Sequence, residues 1–291
     1  MGAFNNKGIL FALGAAIVSG VSIYLNKFVV GQTDPVLFSF LKNLLVAIVL
    51  GAFLVKFSDV KKAFSKKTAL PLGYVSLFSG GLAFLLFFLG LKETTAVSAN
   101  FFHKSMFLGV LALSIFLLKK NLSFRNLAVS GAILAGNFLF WKVAKISLNY
   151  GDFLILGATL LWAGEATIVE KFLSKVPART LSLVRFAGGL PVLLSFLLFG
   201  KRTDWSIAFN SFQWTLGLAG VLLLYALLYF SAVKTSGAFA TTAVLSASPL
   251  VTYALSSGLS FPTLSQGFGA AIIVGALSYF LLSERRAVAS S

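Results

Sequence analysis

Residues 8–28, GILFALGAAIVSGVSIYLNKF, and residues 151–172, GDFLILGATLLWAGEATIVEKF, decide the fold. Each is apolar, free of interior proline, and about as long as the roughly 20 residues that one helical crossing of a bilayer needs. They also resemble each other. Gly8, Leu13, Gly14 and Ala15 return as Gly151, Leu156, Gly157 and Ala158, and Lys27-Phe28 returns as Lys171-Phe172. The correspondence continues in order at nearly one offset: Pro35 with Pro177, Lys42 with Arg185, Lys92 with Lys234, Ala96 with Ala238, and Leu122-Ser123-Phe124 with Leu259-Ser260-Phe261. A second half of the chain therefore repeats the first.

Working outward, ten such stretches fill almost the whole 291 residues: 8–28, 35–55, 71–91, 94–118, 125–141, 150–173, 180–199, 213–233, 237–258 and 263–283. The runs are continuous rather than alternating, which selects helices over a membrane barrel. With 58% hydrophobic and 11% charged residues, no soluble domain is left over. The expected fold is all-α and polytopic: ten transmembrane helices as two five-helix repeats, 1–145 and 146–291, in one membrane domain. An odd number of crossings per repeat inserts the second copy upside down, and inverted repeats around a central cavity suit alternating access.

A net charge of +16 would suggest nucleic acid in a soluble protein. Here placement speaks against it. With the first residue in the cytoplasm, fifteen of the 24 Lys and Arg fall on the cytoplasmic side, six outside, and Lys42, Lys104 and Arg185 within spans. That follows the positive-inside rule and predicts cytoplasmic termini in a plasma (inner) membrane. The run Lys56 to Lys67 reads as a topology anchor that meets anionic lipid headgroups. The first span is as long as the other nine, so it reads as a retained helix and not a signal peptide. Asn6 stands where a myristoylation signal needs Ser or Thr.

Polar residues within spans are the candidate site. Asn100, His103, Lys104 and Phe107 share one face of the fourth span by their spacing. Lys104 lies mid-span, too deep to snorkel. Glu165 in the sixth span, offset axially by roughly 7 Å at the standard helical rise, is the expected partner of Lys104, to be displaced by a substrate carboxylate or phosphate. His103, the single histidine, is a candidate for proton coupling. Trp162, Tyr225 and Tyr229 are candidate cavity walls. Lys42 and Arg185 read as structural residues that snorkel or hold helix ends. Pro249 should bend the ninth span, Gly188-Gly189 and Pro191 should break the seventh, and such bends serve as gating hinges.

GATLLWA at 157–163, the basic residues Lys42 and Arg185 in the second helix of each repeat, KTSGAFATTAVLSASP at 234–249, and the glycines at 131–136 and 269–275 resemble the EamA-type members of the drug/metabolite transporter superfamily along the whole chain. The resemblance implies a central cavity and export of small metabolites or drugs. It departs at Lys119-Lys120-Asn121 and Ser256-Ser257-Gly258, where the family often carries a glutamate before the last helix of each repeat. The expected function is secondary export of a small metabolite, such as an amino acid or related compound, with an organic-phosphate or sugar-phosphate exchanger as the alternative. No cofactor or metal is expected: there is no cysteine and no His/Asp/Glu cluster. An intramembrane serine hydrolase would need a base beside its nucleophile, but His103 is the only imidazole and no GxSxG-like elbow is present. A channel would need a continuous polar lining.

Overall fold

The computed structural model describes residues 6–119, 124–142, 148–199, 212–258 and 262–289. Leu122-Ser123 and Leu259-Ser260-Phe261 of the repeated tripeptide lie outside them. So do Lys120 and Asn121 of the family departure, and Lys145, Lys201 and Arg202 of the charge tally. Nine helices among the described residues are long and apolar enough to cross a membrane: α1 (Lys7–Val30), α2 (Pro35–Leu54), α3 (Ala69–Glu93), α4 (Ala96–Phe116), α6 (Tyr150–Phe172), α7 (Ala178–Phe199), α8 (Phe212–Ser236), α9 (Ala238–Ser256) and α10 (Leu264–Ser283). The shorter α5, Phe124–Lys142, stands between α4 and α6. A short surface helix, Phe57–Ala63, carries Lys61 and Lys62. Large side chains such as Phe53, Leu70 and Phe199 point outward, the arrangement expected where hydrocarbon is the solvent.

The packing repeats under exchange of the halves. α1 packs on α8 as α6 packs on α3; α3 packs on α7 as α8 packs on α2; α4 packs on α6 as α9 packs on α1. The pairs α2–α7, α4–α9 and α5–α10 map onto themselves. That is the signature of a pseudo-twofold axis relating two five-helix repeats. Glycines set the closest approaches. Gly136 meets the backbone of Gly269 where α5 crosses α10, and Gly189 meets the backbone of Gly80 where α7 crosses α3; a Cβ at any of these would collide with a carbonyl.

α4 and α9 are both interrupted near mid-membrane, α4 at Ser105 and α9 at Ser246-Ala247. Pro249 opens the second half of α9, where its missing N–H costs no helical bond. In α4 there is no proline. Instead Ser105 donates its hydroxyl back to the carbonyl of Phe102 at 2.7 Å, and Ser246 does the same to Ala243 in α9. Such back-bonding competes with the helical ladder and bends it. α7 differs from expectation: it runs unbroken through Gly188, Gly189 and Pro191. Its two glycines are consumed by close packing on Ser76 and Gly80 of α3. The irregularity lies in α3, which widens into a π-helix over Val75–Leu82. The freed carbonyls of Ser79 and Gly80 accept bonds from Trp162 of α6 and Asn43 of α2.

Candidate functional site

α1 carries a polar stripe, Ser19, Ser22 and Asn26, in an otherwise apolar span. Positions i, i+3 and i+7 return to one helix face. All three are buried. Asn26 donates to Ser22 at 3.0 Å. Lys42 from α2 donates to the Asn26 carbonyl at 2.9 Å, and Lys104 from α4 donates to the Ser19 hydroxyl at 2.8 Å. The stripe forms one wall of a cavity enclosing about 520 Å³ of atom-free space, its open mouth included. Phe84, Phe87 and Phe88 of α3, Trp162 and Glu165 of α6, and Tyr225 and Tyr229 of α8 make up most of the facing wall. Lys42, His103 and Arg185 complete the lining that matters chemically.

Each repeat thus presents one deep cation from its second helix. Lys42 is 1% exposed and Arg185 3%. The Lys42 ammonium sits 4.3 Å from the centroid of Phe88 and 5.0 Å from that of Phe38, a cation–π clamp. Arg185 lies 3.2 Å from Glu165, and its guanidinium is surrounded by Phe84, Trp162, Phe186 and Phe230 at 5.1 to 5.7 Å. The equivalent positions are neutralised differently. Arg185 has a carboxylate, whereas Lys42 has only an amide. Glu165 Oε1, the Tyr229 hydroxyl and His103 Nδ1 find no partner among the described residues, and Glu165 Oε2 has only its ion pair with Arg185. Buried polar atoms left without a partner are costly in a finished fold and reasonable at a site that receives a ligand.

The structure corrects several expectations. Lys42 and Arg185 do not snorkel; both are enclosed and line the cavity. Glu165 pairs with Arg185 and not with Lys104. The helices α4 and α6 are neighbours as required, but successive residues on a helix point about 100° apart. His103 occupies the side of α4 that faces α6 and α3, with ring centroids 4.8 Å from Trp162 and 5.4 Å from Phe87. Lys104 is thereby turned toward α1. Its ammonium stands behind Ser19 and 6.0 Å from the Tyr225 ring, and Lys104 is not among the residues that line the cavity. Asn100 is absent from the lining: it bonds Thr252 and Ser248 across the α4–α9 contact. Phe107 is buried in a separate core with Ile9, Val129 and Ile133. His103, Trp162, Glu165, Tyr225 and Tyr229 do meet around one space. The stripe Ser19, Ser22 and Asn26 and the rings of Phe84, Phe87 and Phe88 escaped the sequence reading. The stripe's three-and-four spacing was a readable signal; the rings, among 31 phenylalanines, had none.

Two inverted helical repeats enclosing a polar, aromatic-walled cavity at mid-membrane define the architecture of a secondary transporter. A model of the EamA-like transporter family matches residues 6–142 and 149–282, one match per repeat. The chain belongs to that family, within the drug/metabolite transporter superfamily, and is an integral membrane protein. A solved structure titled "Crystal structure of protein" is similar over 97% of this chain and 99% of its own, with a TM-score of 0.70 at 16% identity. At that identity the likeness concerns the fold. Among curated proteins none matches.

Proposed function

We propose that this protein is an alternating-access exporter of a small organic solute bearing an anionic group, in the class of amino acids and related organic acids, and that it performs no catalysis. The observation that carries the reading is the Lys42 ammonium: deep in the bilayer, lining the cavity, and held only by an amide and two rings. A carboxylate is the partner it lacks, and a charge-assisted bond to it is stronger than the amide bond it would replace. Oε1 of Glu165, the oxygen not paired with Arg185, suits a substrate ammonium. The aromatic wall suits an apolar side chain or backbone. The repeats 1–145 and 146–291 exchange conformations so that the cavity faces each side in turn. The membrane is the plasma (inner) membrane, with both termini cytoplasmic, and anionic lipid meets the run Lys56 to Lys67. His103, with Nδ1 free beside Trp162, is the candidate for proton coupling.

A second reading, exchange of organic or sugar phosphates, is favoured by the two cations that line one cavity, Lys42 and Arg185. Counterflow in proteoliposomes against a panel of amino acids, organic acids and sugar phosphates separates the two. The expected outcome is saturable, exchange-stimulated flux of a carboxylate-bearing solute. Exclusive flux of phosphates would select the second reading, and non-saturable flux would reject a carrier altogether.

A further inference from the structure

A helix in hydrocarbon often satisfies its hydroxyls on its own backbone. Thr159, Thr167, Ser182 and Thr242 each donate to the carbonyl four residues back, at 2.7 to 3.0 Å. Ser19 and Ser22 of α1 do not. Among the described residues each is bonded only as an acceptor: Ser19 accepts from the Lys104 ammonium at 2.8 Å, and Ser22 from the Asn26 amide at 3.0 Å. These directions are forced. An ammonium has donors and no acceptor, so the Ser19 oxygen must accept. Lys42 likewise donates to Asn26 at 2.9 Å, which fixes that amide atom as the oxygen Oδ1 and leaves Nδ2 to face Ser22. Each serine therefore keeps its own O–H to give, and no described residue receives it.

Both serines line the cavity. Their spacing, i and i+3, makes them neighbours on adjacent turns of one helix face. The Lys104 charge thus reaches the cavity at one remove. Its ammonium is enclosed, stands outside the lining, and has the Ser19 hydroxyl as its hydrogen-bond partner. Glu165, the acid that lines the cavity, is paired with Arg185 instead. A hydroxyl that accepts from a cation is polarised and becomes a stronger donor. The α1 wall therefore offers donors, while Glu165 Oε1 on the facing wall offers an acceptor without a hydrogen-bond partner.

We propose that the Ser19 and Ser22 hydroxyls form a subsite for the oxyanion of the substrate, a carboxylate or a phosphoryl group, and that Lys104 is its positioning residue, acting through Ser19. This rests on the transporter reading above and adds two donors to the contact given there to Lys42. Either oxyanion brings at least two acceptor oxygens, so each hydroxyl has one to bond. A carboxamide brings one oxygen and an NH2, which sets a donor against a donor. The subsite therefore discriminates an acid from its own amide, because a site built to bond one group leaves its polar atoms unpaired with the other.

Matched pairs of ligands test this. Thermal stabilisation of the purified protein in detergent is measured with alanine, leucine and phenylalanine, with the carboxamide of each, and with glycerol 3-phosphate and glucose 6-phosphate. The same solutes are exchanged in proteoliposomes by wild type, Ser19→Ala, Ser22→Ala, Lys104→Gln and the double variant of Ser19→Ala with Lys104→Gln. Wild type should prefer each acid to its amide. Each serine variant should raise the half-saturation for the acid about tenfold, the worth of one hydrogen bond to a charged group, and leave the amide's apparent affinity unmoved. Lys104→Gln keeps a donor for Ser19 but removes the charge. It should weaken the same preference, and weaken it no further once Ser19 is alanine, because coupled residues are not additive. A monodisperse chromatographic profile identifies the variants that fold, and Ser22→Ala, which strands only an amide, decides the subsite if the others do not. Serine variants with the full preference intact overturn the subsite and leave the carrier standing. Additive losses at Ser19 and Lys104, or a Lys104→Gln protein that is only less heat-stable, overturn the positioning role. Binding confined to the phosphates, with the same dependence on the serines, keeps the subsite and makes phosphate its ligand. Acids that bind without exchange keep the subsite and reject the carrier. No stabilisation by any acid or phosphate rejects both.

Discussion

Arg185 and Glu165 show how a single residue's neighbours decide its meaning. The pair is buried, its side chains 4% and 0% exposed, and four aromatic rings exclude water around the guanidinium. Removing one member of such a pair strands the other charge, at a cost of about 3–5 kcal/mol, whereas removing both is far milder. Arg185→Met should therefore lower the melting temperature strongly, and Arg185→Met with Glu165→Gln should recover most of the loss; a thermal-shift series on the purified single and double variants checks this. His103 offers a second residue-scale outcome. If its free Nδ1 carries the coupled proton, His103→Ala makes transport indifferent to an imposed proton gradient while binding persists. A wild-type rate that already ignores the gradient rules the coupling out. At this scale the sequence was only half legible. The positions of Lys42 and Arg185 along the chain were plain, but near a span's end a cation can equally snorkel. Asn26 and Glu165, with the rings of Phe84, Phe88, Trp162 and Phe230, hold these two in place, and all of them come from other helices.

Among the elements, α2, α3, α4 and α9 hold the irregular backbone. Gly189 of α7 and Gly80 of α3 touch backbone to backbone. Gly189→Leu should force the two helices apart and destabilise by about 1–3 kcal/mol, in the manner of overpacked cores. Because Gly80 lies in the π-helical stretch next to Ser79, which orients Trp162, the same variant should also weaken substrate binding, read as a higher half-saturation in exchange assays. Pro249→Ala tests the break in α9. It removes the ring that bars the two halves of α9 from joining into one helix, and turnover should fall with affinity unchanged; unaltered turnover would make the break purely structural. The proline made the α9 break readable in advance. The matching break in α4 was not, because a serine back-bond leaves no distinctive letter in a chain with many serines. The expected break in α7 failed for a related reason. Paired glycines announce either a bend or a close contact, and the contact with α3 decided which.

For the whole molecule the inverted topology makes a direct prediction. The chain contains no cysteine, so single cysteines report cleanly on sidedness. Gln32→Cys, in the exposed α1–α2 turn, should react with an impermeant maleimide in intact cells, and Lys61→Cys, on the exposed surface helix, only after permeabilisation. The opposite pattern would reverse the orientation read from the positive-inside distribution. The sequence alone determined the ten spans, their apolar lengths, the duplication and hence the inversion. These follow from one-dimensional quantities: run length against bilayer thickness, and the parity of five crossings. Tertiary structure decided the site. Which of two adjacent side chains, His103 or Lys104, faces α6 depends on how α4 is rotated against its neighbours. So does the pairing of Glu165 with Arg185 across helices that are consecutive in the chain yet reach each other over α3. Periodicity tells which residues share a face of one helix; only packing tells what that face meets.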